Sequence, residues 1–124
     1  MIEMTEREKF LFDLQGFLVV RDFLNAEEVR ALNEAVDANV DEDADGFYAE
    51  GSGYSGGMDG THRAATIKGM LTWDQPWCQS FRNLIAHPKL VPYLNTLFGQ
   101  GWRMDEEPFI ITARKGSCGH RLHG

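Results

Sequence analysis

Residues 46–60 hold six glycines in fifteen positions and show no apolar periodicity, so neither a helix nor a strand can be written through them. The acidic run Asp41-Glu42-Asp43-Ala44-Asp45 leads into this stretch. A long loop is therefore expected from about residue 41 to 61. Loops of this length in compact domains serve as lids or binding segments, or stay disordered. Phe47 and Tyr54 are aromatic residues that such a loop could fold over a substrate.

The punctuation before the loop is clear. Thr5-Glu6-Arg7-Glu8 fits a capping box, and Phe10, Leu11 and Leu14 then form one apolar face that Gly16 ends. Phe17-Leu18-Val19-Val20 is too short for a helix and carries two β-branched residues, which predicts a buried strand. Asn25-Ala26-Glu27-Glu28 repeats the capping logic and opens a second helix, with Val29, Leu32, Val36 and Val40 on its inward stripe. Beyond the loop, Ala65–Lys68 reads as a short strand. Trp77, Phe81, Leu84 and Ile85 mark one helix. Leu90, Val91, Leu94, Leu97 and Phe98 mark another, with prolines crowding its entry and Gly99 closing it. Phe109–Ala113 is extended, followed by a turn through Lys115-Gly116-Ser117 and a further strand from Gly119 onward. Four or five strands and four helices are expected, in one domain covering residues 1–124, because the length suits one domain and not two. The strands thicken toward Gly124, which points to the front part of a larger α+β or β-barrel protein.

Charge narrows the partners. Nineteen acids against twelve bases leave a net charge of −7, which disfavours nucleic acid and anionic membranes. No apolar run approaches the roughly 20 residues of a membrane span, and the acidic N-terminus lacks the layout of a secretory signal. Cys78 and Cys118 form no CxxC pair, so reduced thiols in a cytoplasmic protein are expected.

The densest chemistry is Cys118-Gly119-His120-Arg121-Leu122-His123-Gly124, with two imidazoles and a thiol in six positions. A metal needs three or four such ligands. On a regular strand His120 and His123 point to opposite faces, so they cannot share one interior. A loop histidine pair without a ligand role is an equally good reading of the spacing. Asp41-x-Asp43-x-Asp45-Gly46 matches the first half of a calcium loop, but position 12 is Ser52 where a bidentate Glu is required, and Glu50 falls two places early. Weak divalent-cation binding is the most this run implies; a solvated acidic face is the commoner case. His62 and His87 read as structural.

Three stretches in order resemble the phytanoyl-CoA dioxygenase family of Fe(II)/2-oxoglutarate oxygenases. Residues 10–36, FLFDLQGFLVVRDFLNAEEVRALNEAV, are similar to that family's entry; residues 81–99, FRNLIAHPKLVPYLNTLFG, to one of its helices; and residues 109–124, FIITARKGSCGHRLHG, to the approach to its first iron ligand. The resemblance implies helices packed on part of a double-stranded β-helix, a jelly roll that is incomplete here. It implies Fe(II) and 2-oxoglutarate as cofactors, a small-molecule substrate, and hydroxylation coupled to oxidative decarboxylation of the keto acid. The family holds iron with two histidines and a carboxylate. His123 corresponds to the first His of its His-x-Asp pair and Gly124 to the spacer; the carboxylate would be the next residue. Lys68 corresponds to the family's early-strand contact with 2-oxoglutarate, although a solvated lysine is the commoner situation. The third ligand and the arginine that grips the keto acid come later in the family's chains, so the 124 residues are expected to lack part of the site. The alternative is a non-catalytic fragment, or a divalent-cation-binding module using the Asp41–Asp45 loop. The identity of the substrate and the oligomeric state are not legible in the sequence.

Overall fold

The computed structural model describes residues 3–50 and 60–119. Among these residues, four α-helices, one 3₁₀ turn and two short strands follow in the order α1 (Glu6–Gln15), α2 (Ala26–Asn39), β1 (Ala65–Ile67), the 3₁₀ turn Met70–Thr72, α3 (Trp77–Ile85), α4 (Val91–Phe98) and β2 (Ile110–Thr112). The class is α+β. Among the described residues no helix is long and apolar enough to cross a membrane.

Both expected capping boxes form. Thr5 Oγ1 accepts the Glu8 amide at 3.2 Å while Glu8 Oε2 accepts the Thr5 amide at 2.7 Å, and Asn25 and Glu28 repeat the exchange at 2.9 and 2.8 Å. Each reciprocal pair satisfies two amides that a helix start leaves without partners, and losing such a cap costs about 1 kcal/mol. Gly16 ends α1 at φ 78°, a left-handed turn in which its amide donates to Phe12 O at 2.8 Å.

The remaining oxygen of each capping carboxylate reaches across the molecule. Glu8 Oε1 accepts the Tyr93 hydroxyl from α4 at 2.8 Å. Glu28 Oε1 faces His87 Nε2 at 3.0 Å, in the link between α3 and α4. Lys89 tightens the second joint, its ammonium donating to Phe23 O at 2.8 Å. The entries of α1 and α2 are thereby pinned to the helical pair that follows the glycine-rich stretch.

The core gathers Ala35, Ile67, Met70 and Phe81, with Leu32, Val36, Val40, Phe47 and Ile110 packed around them. Ala35 is 0% exposed, and its small side chain lets α2 lie close on α3. Trp73 meets Phe81 edge-on, centroids 5.5 Å apart. β1 and β2 pair antiparallel, Ala65 opposite Thr112 and Ile67 opposite Ile110; Ala65 and Ile67 face inward while Thr66 faces solvent.

Four expectations are corrected. Phe17–Val20 forms no strand, and Phe17 and Val19 are exposed at 58% and 67%. An apolar tetrapeptide becomes a strand only beside another, and no described strand lies next to it; the Phe17 carbonyl accepts instead from the Gln15 side chain. Val29 is exposed, and Ala35 takes the central inward place on α2. Phe10 and Leu14 of α1 are likewise exposed. Two strands are present among the described residues, where four or five were expected along the whole chain; the one expected from Gly119 onward runs outside the described residues.

Candidate functional site

Three segments converge at one end of the strand pair: residues 46–50, 60–63 and 112–118. The Arg63 amide donates to Ala49 O at 2.7 Å, the Thr61 amide to Gly116 O at 3.0 Å and the Cys118 amide to His62 O at 2.8 Å. The expected turn forms, closed by Ser117 N–H to Arg114 O at 3.0 Å and by the Arg114 amide donating to Ser117 Oγ at 3.0 Å. Gly60 lies so close to this strap that a Cβ there would sit 2.6 Å from the Cys118 backbone.

Inside this frame lies a polar cluster. Arg114 places its guanidinium 4.4 Å from the Tyr48 ring centroid and donates through Nε to His62 Nε2 at 3.3 Å. A guanidinium only donates, so Nε2 acts as the acceptor and the ring proton sits on Nδ1, 3.2 Å from Thr61 Oγ1. Tyr48 is itself fixed: its hydroxyl donates to Glu42 Oε2 at 3.2 Å and lies 3.2 Å from Thr112 Oγ1. Beside these groups opens a cleft of about 520 Å³, lined by Tyr48, Glu50, Thr61, His62 and Arg114 with Gly46 and Ala49. A second, apolar groove of about 540 Å³ lies between α3, α4 and the segment that follows, lined by Leu84, Leu90, Leu94, Phe98, Trp102 and Met104 among others. Trp102 is held there by its indole N–H, which donates to Asn95 Oδ1 at 2.9 Å.

Lys68 follows β1 directly and is exposed, its ammonium 5.9 Å from the centroid of the Phe109 ring. That is the outer limit of a cation–π contact. His120, His123 and Tyr54 lie outside the described residues. Phe47 packs on the core rather than over a cleft. In the acidic run, Asp41 Oδ1 accepts the Asp43 amide at 3.0 Å and Glu42 accepts from Tyr48, so two of its carboxylates are turned to their own loop.

The described residues do not fit an iron ion. No three His, Cys, Asp or Glu side chains among them are gathered where they could hold a metal. Each of the two described histidines also has its acceptor nitrogen occupied: His62 Nε2 by Arg114, and His87 Nδ1 by the Lys89 amide at 3.1 Å. His87 is buried against Phe23, ring centroids 4.8 Å apart, and acts as a strut.

Sequence reasoning missed Arg114 and Tyr48. Neither belongs to a periodic pattern: Tyr48 sits among glycines and Arg114 opens a turn. The signal that could have raised them is the turn itself, since Lys115-Gly116-Ser117 sends the chain back past His62 with Arg114 at its hinge. No family model, curated protein or solved structure matches this chain.

Proposed function

We propose that this chain forms part of a cytoplasmic Fe(II)/2-oxoglutarate-dependent oxygenase of the phytanoyl-CoA dioxygenase type, acting on a small-molecule substrate. The reading treats the described α+β unit as the helical buttress and first strands of a jelly roll. The observation that carries it is the position of Lys68. The register Ile67 opposite Ile110 sets Lys68 beside Phe109 at the start of β2, the strand whose chain continues through the Arg114–Ser117 turn toward His123. An exposed ammonium over an aromatic ring at a strand end suits one carboxylate of a dicarboxylic keto acid. The described residues contribute no iron ligand, so His123 stands as the ligand on the resemblance alone.

The test is nuclear magnetic resonance of the ¹⁵N-labelled chain under nitrogen. Millimolar 2-oxoglutarate is expected to shift the Lys68 and Phe109 amides saturably, and the shifts should vanish in Lys68→Ala. Fe(II) is expected to broaden resonances centred on His123. Broadening centred on Asp41–Asp45 would replace this reading with the cation-binding module; no response at either place would overturn both.

A further inference from the structure

We propose that the cleft beside Tyr48, His62 and Arg114 binds a small zwitterion, an amine-bearing carboxylic acid of the amino-acid class, with its carboxylate on Arg114 and its ammonium on Glu50. This inference does not rest on the oxygenase reading.

The arginine is already oriented. The guanidinium carbon lies over the Tyr48 ring, 4.4 Å from its centroid, and the bond from Nε to His62 adds a second point of attachment. The two terminal nitrogens then remain as a fork, the geometry that takes a carboxylate through two parallel hydrogen bonds. Behind the fork, Tyr48 is anchored to Glu42 and Thr112, and His62 is 9% exposed with its carbonyl held by Cys118 N–H. An arginine held at its face and its Nε has less rotamer freedom left to lose on binding.

The same cleft is lined by Glu50, and that decides the charge of the ligand. Neither Arg114 nor Glu50 belongs to any of the ion pairs among the described residues. Two opposite charges that line one cleft without pairing to each other match a ligand carrying both. A simple anion would meet Glu50 as a repulsive neighbour, in a chain whose net charge is already −7. A zwitterion presents a complementary charge to each and no net charge to the whole. The volume of about 520 Å³ accommodates a molecule of that size with water to spare.

The probes are γ-aminobutyrate and glycine, with acetate and methylammonium as single-charge controls, read by amide shifts in the ¹⁵N-labelled protein. Saturable shifts at Thr61, His62 and Arg114 are expected with a zwitterion, at concentrations where acetate and methylammonium give little. Arg114→Gln and Glu50→Gln should each weaken zwitterion binding by about tenfold or more. Glu50 is exposed, so Glu50→Gln leaves the fold intact and decides the matter if Arg114→Gln disturbs the cluster. Equal binding of acetate, with Glu50→Gln tightening both ligands, would overturn the assignment in favour of a plain anion; absence of shifts with every probe would overturn it outright. Shifts at Lys68 and Phe109 under 2-oxoglutarate report on the oxygenase reading separately, so either can fail alone.

Discussion

Glu8 and Glu28 divide their two oxygens between a helix start and a distant side chain, and both carboxyls are held below their ordinary value of 4.5. For Glu8 the Thr5 amide is the largest cause and the Tyr93 hydroxyl the next; for Glu28 the Asn25 amide comes first and His87 second. In the unfolded chain these groups take up protons first, so their contribution is intact above pH 4.5 and is lost as pH falls below it through the folded values. Urea midpoints measured from neutral pH downward should therefore decline below that point, and Glu28→Gln should flatten the decline. At the alkaline end Tyr93 is raised above 10.0, chiefly because its hydroxyl donates to Glu8. Its contribution is complete below pH 10 and falls away as pH climbs through the raised value. Gly60 gives a sharper test. At φ 153°, and with backbone 2.6 Å from any added Cβ, Gly60→Ala cannot be absorbed by a rotamer change. It should cost about 3 kcal/mol or more, against roughly 1 to 2 for Gly16→Ala, where the left-handed φ is the whole penalty and nothing lies within 4 Å.

At the scale of elements, α1 is the most weakly held helix. None of its residues is buried, and beyond Met4 just ahead of it the Glu8–Tyr93 bond is its clearest tie to the rest. Tyr93→Phe removes that tie and should cost about 1 kcal/mol. Hydrogen exchange should then accelerate at the α1 amides while α2 and α3 keep their protection. How far these elements could be read from sequence follows the same division. Thr5, Glu8, Gly16, Asn25, Glu28 and Gly99 announce helix ends through contacts a few residues apart, and all of them act as read. Phe17–Val20 could not be read, because its state depends on a neighbouring strand that local pattern does not reveal. Val29 falls outside the buried stripe and Ala35 inside it for a related reason: helical period gives a stripe, while the facing surface of α3 decides which residue lies at its centre.

For the whole molecule, stability concentrates where α2, α3 and β1 meet. Phe81→Ala empties the middle of that cluster and should cost about 3–5 kcal/mol, a large share of the roughly 5–15 kcal/mol typical of a domain. Loss of the near-ultraviolet circular dichroism of Trp73, which meets Phe81 edge-on, would report it. The polar cleft was the least legible feature, since Tyr48, His62 and Arg114 come from three separated segments and only the folded turn assembles them. The strand at Ala65–Ile67 was legible, though it stops one residue short of Lys68, and the approach of Phe109 to that lysine was not. The shared carboxylates also bear on kinetics. Glu8 and Tyr93 are 85 positions apart, and Glu28 and His87 are 59 apart. Nucleating either early helix in full is thus the same cooperative event as closing a long stretch of chain, so the folding rate should answer to topology more than to helix propensity.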